Sequence, residues 1–460
     1  MKLANLRDSS ADSFRSAVPY SGRTLLLAIF LLVNFQSAIA EETDHLHDIL
    51  HQIEQGSPQL AMSKANAGAA RAGVAVVRSK YWGQAEVFGR DTHYNNSRLV
   101  NPLSPPVNFA TVAADRNQFA YGATFTLPVD INGKINAGLR AQEHLGRSAD
   151  YEVESSRLNL FAQAVSLYRG LQNIVGARQA LTSQQQALLK HYEITEMGIR
   201  VGRLARVELL RIDAEAKAVE GRIAALDGDE ARLRANLAAL MNREQFSTLI
   251  PLPDQTPAGL LLPDFDQLQS RSDIKSADSQ IQAADESLSG ARREWLPSLS
   301  VQATTMRNQG YSAAGDNTWS VTGQLSWELW DGGRRFAQAD QAHAKKEMAR
   351  QQQLLIHNRA RAEFDAARAG WKAAALQYQA AQAGLKAAIE TEYIQANRYR
   401  NGRLSSVDLL DAEAALAQAR SNVSSALTAW WLADDQLNLA VGKPPKAYTQ
   451  PTAAVSGEKG

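Results

Sequence analysis

Residues 199–215 read IRVGRLARVELLRIDAE, and residues 399–415 read YRNGRLSSVDLLDAEAA. The two stretches align without a gap at an offset of 200 residues. Gly202, Arg203, Leu204, Val207, Leu209, Leu210 and Ala214 recur as Gly402, Arg403, Leu404, Val407, Leu409, Leu410 and Ala414, and Glu208 becomes Asp408. Agreement at this density marks an internal repeat. A second pair keeps the offset: FTLPVDINGK at 125–134 lines up with LSWELWDGGR at 325–334, so Gly133 and Lys134 correspond to Gly333 and Arg334. The chain is one unit used twice.

Between these landmarks the sequence is helical in character. Pro128 to Pro251 and Pro297 to Pro444 each enclose a long proline-free run dominated by Ala, Gln, Glu, Lys and Arg. The run from about 335 to 397 predicts a rod of roughly 90 Å at the helical rise. A rod of that length needs neighbours along its side. Its apolar stripe is narrow and alanine-rich, with Phe364, Trp371, Leu385 and Ile389 among small residues, which suits close coiled-coil packing. Gly202 and Gly402 are placed to end one helix and permit reversal into the next.

Two candidate strands precede each long helix. In the second copy, Leu299, Val301, Ala303 and Thr305 alternate with Ser298, Ser300, Gln302 and Thr304. After a Gly/Asn/Asp loop, Trp319, Val321, Leu325, Trp327 and Leu329 alternate with Ser320, Thr322, Gln324, Ser326 and Glu328. In the first copy, Phe119, Tyr121, Ala123, Phe125 and Leu127 alternate with polar neighbours, and the partner run around Gln84 to Tyr94 alternates poorly. An apolar-out, polar-in strand of about ten residues suits either a tilted membrane strand or a soluble hairpin on helices. Each unit thus reads helix, strand, strand, long helix, turn, helix. Four strands do not close a barrel alone, so a membrane role requires several copies.

Composition limits the rest. At 460 residues, with 45% hydrophobic and 21% charged residues, the chain is long enough for a sizeable core and is not disordered by composition. Forty-nine basic against 48 acidic residues leave a net charge of +1, so no global field favours nucleic acid. The absence of cysteine excludes disulfides, thiol catalysis, cysteine-ligated zinc and an acylated lipoprotein terminus. Lys2, Arg7, Arg15 and Arg23 precede an apolar run from Leu25 to Val33 and then Ser37-Ala38-Ile39-Ala40, which reads as an export signal cleaved after Ala40. No later segment is apolar enough to span a membrane as a helix, which leaves strands as the only route through one.

With these features in place, the sequence resembles the TolC family of outer-membrane efflux proteins, the outer-membrane factors. The resemblance is carried by RSDIKSADSQIQAADESLSGARREWLPSLSV at 271–301, LSWELWDGGR at 325–334, YRNGRLSSVDLLDAEAALAQAR at 399–420 and ADDQLNLAVGK at 433–443. It implies a mainly α chain with a membrane β-barrel portion: a homotrimer in which each chain gives four strands to one twelve-stranded β-barrel, continued by a long α-helical coiled-coil tunnel into the periplasm. The expected division is a signal peptide at 1–40, a first helix-strand-strand-helix repeat at 41–243, a linker or equatorial segment at 244–270, a second repeat at 271–442 and a flexible C-terminal tail at 443–460. The resemblance further implies the outer-membrane channel of a tripartite efflux or type I secretion system. Its expected partners are a periplasmic adaptor protein, an inner-membrane pump of RND or ABC type, and outer-membrane lipid.

The resemblance also assigns residues. The family's acidic gate pair falls on Asp408 and Asp411, its aperture tyrosine on Tyr399, and its aperture arginine on Leu404, with Arg403 beside it. In the first copy the acidic position is Glu208, with Arg211 opposite Asp411. Gly202, Arg203, Leu204, Gly402 and Leu404 are the expected adaptor contacts, with Arg403 among the gate residues. Asp408 and Asp411 share a helix face, and a threefold axis would gather six such carboxylates. Two of them about 5 Å apart repel by roughly 3 kcal/mol at an effective dielectric near 20, so the entrance is expected to favour cations. A second reading of the same residues stands beside it: Ser405 followed by Asp408 is a capping-box start.

Other signals point elsewhere or nowhere. His47 and His51 have the i, i+4 spacing of a helical metal pair beside His45, Glu41, Glu42 and Asp44, but solvated terminal histidines are the ordinary reading, and no metal or cofactor is expected. Gly310 to Gly315 lies between strands and reads as a loop. Trp430 and Trp431 read as packing or equatorial anchors, and Arg292, Arg293, Arg334 and Arg335 as markers of the barrel-tunnel boundary. No catalytic constellation is present, so an enzyme is not expected. The competing class is a soluble periplasmic coiled-coil scaffold or adaptor.

Overall fold

The computed structural model describes residues 46–109, 112–248, 250–253, 255–257 and 265–449. The expected export signal lies outside the described residues, as do His45 and the last part of the expected tail. The first repeat opens with helix α1 (Leu46–Gly56) and helix α2 (Pro58–Ser79). Strands β1 (Gln84–Leu99) and β2 (Ala114–Val129) follow, then helices α3 (Lys134–Arg200) and α4 (Arg206–Leu240). The second repeat comprises α5 (Ser272–Arg293), β3 (Ser298–Gly310), β4 (Asp316–Ser326), α6 (Arg334–Arg400) and α7 (Ser406–Ala440). A short α8 (Lys446–Thr449) closes the described chain.

The duplication is kept in three dimensions. α3 and α6 each have 67 residues, α4 and α7 each have 35, and α2 and α5 each have 22. The long helices reach about 100 Å and the return helices about 50 Å. Gly133 and Gly333, both left-handed, precede the long helices. At their far ends, Gly202 (φ 73°) and Gly402 (φ 67°) form matched Schellman turns. The Arg203 amide donates to Gly198 O at 2.8 Å, and the Arg403 amide to Arg398 O at 2.9 Å.

The strands form one antiparallel sheet in the order β1-β2-β3-β4, leaving β1 and β4 as edges. Register sets Val87, Ala123, Thr305 and Trp319 in one row, and Ala85, Phe125, Ala303 and Val321 in the next. The alternate rows carry Thr124, Thr304 and Ser320, then Thr126, Gln302 and Thr322, with Thr124 and Thr304 hydroxyls 3.2 Å apart. One face of the sheet is therefore apolar and the other polar. Val87, Tyr121, Phe125, Trp319, Val321 and Leu325 are exposed on the apolar face. No helix among the described residues is long and apolar enough to cross a membrane.

Three sequence expectations need correction. β1 continues five residues past Tyr94, because pairing with β2, not its own alternation, defines it. β4 stops at Ser326, which pairs with Ser298, so Trp327 and Leu329 lie beyond the strand. Pro297, lacking an amide, precedes Ser298 and offers the ladder no further donor. The expected flexible tail is helical at 446–449: Tyr448 donates to Glu54 Oε2 at 2.6 Å, and His47 Nδ1 meets Ala447 O at 3.0 Å.

The main core lies midway along the rods, where α1 (Ile49, Leu50, Ile53), α3 (Phe161, Val165, Leu171) and α4 (Leu237) converge. Arg169 of α3 pairs there with Asp435 of α7 at 2.9 Å, both nearly fully buried. Trp430 packs edge-on against Trp371, and the Trp431 indole donates to Gln255 O at 2.8 Å. At the junction of sheet and rods, buried Arg335 stacks on Trp295 at 4.3 Å and pairs with Asp331 at 2.8 Å. Arg293 donates to Gly133 O at 2.9 Å, and Arg334 to Glu328 at 2.9 Å.

Candidate functional site

The far ends of the rods bring the two repeat motifs together. The turns 201–205 and 401–405 reverse α3 into α4 and α6 into α7, and the two hairpins touch through a shared apolar cluster. Ala396, Tyr399 and Leu409 are its buried members, with Leu204 and Leu404 packed against them. The leucines that the sequence reading assigned to partner contact are thus half-buried in the tip itself, whereas Gly202, Arg203, Gly402 and Arg403 are exposed. Leu204 also covers Gly198, where a Cβ would lie 2.6 Å from its δ-carbon. Leu404 occupies this apolar position where the family resemblance implies an arginine, and Arg403 forms no ion pair among the described residues.

Polar contacts lock the same cluster. The Tyr399 hydroxyl lies 2.7 Å from Thr195 Oγ1 of α3, and burial pushes the phenol pKa up. Glu208 Oε2 accepts the amide of Ser406 at 3.2 Å, and Glu208 Oε1 lies 3.7 Å from Arg211. The first repeat therefore places a carboxylate on the N-terminus of α7, where the helix dipole favours it. Ser405 is the N-cap of α7. Its hydroxyl donates to Asp408 Oδ2 at 2.7 Å and accepts the Asp408 amide at 3.4 Å. Asp408 is a capping residue, and it is also exposed. Asp411, one turn on, is exposed and forms no ion pair among the described residues.

His191 and Glu413 join the site without having been singled out from the sequence. Glu413 falls on the stripe Leu409, Ala412, Glu413, Leu416, whose members are buried, and that spacing was a readable signal. His191 carried none, since Thr391 stands at its place in the second copy. His47 and His51 lie elsewhere, near the main core, with rings 4.5 Å apart and His51 stacked on Tyr448.

The profile of outer membrane efflux proteins matches residues 49–243 and 266–443, most of the chain. The chain belongs to the outer membrane efflux protein family. Among curated relatives, nodulation protein T of Rhizobium leguminosarum bv. trifolii is 22% identical over 310 residues, covering 63% of this chain and 64% of that protein. The nickel-cobalt-cadmium resistance protein NccC of Alcaligenes xylosoxydans xylosoxydans is 25% identical over 293 residues, covering 61% of each. The chain thus spans less than two thirds of the length of these two relatives. The CmeC outer membrane channel of Campylobacter jejuni has the same fold, with a TM-score of 0.74 at 19% identity over 95% of this chain and 94% of that one. The family is that of outer membrane efflux proteins, and the CmeC structure is of an outer membrane channel. As a member of this family, the chain is a protein of the outer membrane.

Proposed function

We propose that this efflux protein is a passive exit duct whose periplasmic entrance is ringed by Asp408 and Asp411. The carrying observation is the position of the exposed Asp408 and Asp411 pair, on the hairpin tip about 100 Å of helix away from the sheet. The sheet has two unpaired edges and an exposed apolar face, which argues for closure with further copies in lipid and against the soluble-scaffold reading. Three copies supply twelve strands and gather six carboxylates at the entrance. α6 is similarly incomplete alone, since Met348, Leu354, Leu355, Leu376 and Ile389 are exposed along it.

The exposed Gly202, Arg203, Gly402 and Arg403 backbone turns are the docking points for a periplasmic adaptor, with Leu204 and Leu404 shaping the tip beneath them. An inner-membrane pump of RND or ABC type energises transport, for a tripartite efflux or type I secretion system. The test is planar-bilayer recording of the protein extracted from outer membranes. Asp408→Ala with Asp411→Ala is expected to lower cation selectivity and relieve block by divalent cations. Unaltered selectivity and block would overturn the acidic entrance, and recovery of the protein in the soluble periplasmic fraction would overturn the duct.

A further inference from the structure

The apolar face of the sheet runs from the row of Leu299 and Leu325, nearest the rods, to the row of Thr305 and Trp319. The following row sets Tyr121, Arg307 and Asn317 side by side, and Arg307 is the only charged residue in any of these rows. Arg307 is half-buried, and its guanidinium forms no hydrogen bond or ion pair among the described residues. Gln309 follows it on the same face. The acid next along this face, Asp91, lies one row further on and two strands away, where it accepts the Tyr311 hydroxyl at 3.2 Å.

On the lipid-facing side of a membrane strand an arginine is costly at the bilayer centre and tolerated near the interfaces. Leu299 to Arg307 spans about 27 Å of strand, against an apolar band about 25 Å tall in outer-membrane barrels. Trp327 is exposed just past Leu325 at the helix end, as are Tyr121 and Trp319 at the other, so aromatic rings flank the band on both sides. Arg307 therefore stands at the interface remote from the rods. A cation held there without a protein partner is matched by the phosphates of lipid headgroups. Guanidinium grips phosphate through two parallel N–H donors, and Tyr121, Gln309 and Asn317 add neutral donors around it.

We propose that Arg307, with Tyr121, Gln309 and Asn317, forms a binding site for the phosphate-bearing headgroup of an outer-leaflet lipid. The inference rests on the duct reading, which puts the rods in the periplasm and so turns this end of the sheet outward. It adds a ligand that the acidic entrance does not involve. The acyl chains lie along the apolar rows beside Trp319, while the phosphate accepts from Arg307. A neighbouring copy is a poorer occupant. Arg307 stands on β3, which β2 and β4 flank, so closure through the free edges of β1 and β4 leaves its face turned to lipid.

The test is native mass spectrometry of the protein extracted from outer membranes and titrated with bisphosphorylated lipid A, with fully dephosphorylated lipid A as the paired probe. The parent is expected to bind the phosphorylated form about tenfold more tightly, and Arg307→Gln to lose about tenfold in affinity for it. Arg307→Lys keeps the charge without the fork and is expected to fall between the two. Arg90→Gln, on the opposite face of the sheet, is expected to bind as the parent does. Equal binding of the two lipids overturns the site, as does full affinity retained in Arg307→Gln. Displacement of the lipid by inorganic phosphate at equal concentration also overturns it, in favour of a free-anion site. If Arg307→Gln is not recovered in the membrane, Arg307→Lys and the paired lipids decide in the same way. Planar-bilayer recording of the same preparation separates this inference from the reading beneath it. Phosphate-dependent binding through Arg307 in a protein that never conducts upholds the lipid site and overturns the duct, whereas a conducting protein whose lipid binding ignores Arg307 does the reverse.

Discussion

Glu208 Oε2 accepts the backbone amide of Ser406 at 3.2 Å, so a side chain of the first repeat caps a helix of the second. The N-terminus of a helix leaves its first amides without partners, and a carboxylate there gains from both the hydrogen bond and the dipole. Glu208 is half-buried and Ser406 fully buried, which keeps water from replacing the contact.

Glu208→Ala is therefore expected to loosen the tip by about 1 kcal/mol, within the range for lost helix caps. In single-channel records this corresponds to a roughly fivefold gain in the ratio of open to closed time. Glu208→Gln keeps an acceptor and is expected to recover most of the loss. An alanine variant whose closed dwell times match the parent would show that the contact carries no load.

Thr195 and Tyr399 make a second tie between the repeats, at 2.7 Å. Thr195 is fully buried, so Tyr399→Phe strands its hydroxyl and is expected to cost about 1 to 2 kcal/mol in thermal unfolding. Adding Thr195→Val removes the stranded group and is expected to restore part of that stability. The readout is a double-mutant cycle, and strict additivity of the two single changes would contradict the tie.

The duplication was legible because its signals are local. Gly202 and Gly402 marked the turns, the proline-free runs gave the rods, and alternation gave β2 and β3. What escaped reading depends on partners distant in sequence. β1 is held by β2 despite its poor pattern, and β4 stops where Pro297 ends its partner. Leu404 looked like a lost arginine, yet it fills an apolar cluster with Tyr399 and Leu409. The contacts of His191 with Glu413, 222 residues apart, have no counterpart in the other copy and so no repeat to announce them.

The repeats also differ at their last turns, which permits a stability test away from the hairpin tips. Asn242 and Gly442 occupy equivalent places and both have positive φ, at 57° and 76°. Asn tolerates the left-handed region, so Asn242→Gly is expected to change stability by less than about 1 kcal/mol. Gly442→Ala adds left-handed strain and sets a Cβ 3.0 Å from Arg271 Cγ, and its expected cost is larger, about 1 to 2 kcal/mol. Thermal unfolding of the two variants compares them directly, and equal midpoints would refute the assignment.

Asp408 and Asp411 are one turn apart but do different physical work. Asp408 exchanges hydrogen bonds with Ser405 at the start of α7, whereas Asp411 forms no ion pair among the described residues. Asp408→Ala is thus expected to lose a cap worth about 1 kcal/mol together with a charge at the hairpin tip. Asp411→Ala is expected to lose the charge alone, with unfolding within about 0.5 kcal/mol of the parent. Asp408→Asn separates the two effects at one position, because it removes the charge while its amide oxygen still accepts from Ser405. If both carboxylates face the entrance, Asp408→Asn and Asp411→Asn reduce cation selectivity alike, and only Asp408→Ala lowers the unfolding temperature. A selectivity change confined to one of them would place the other outside the conducting path.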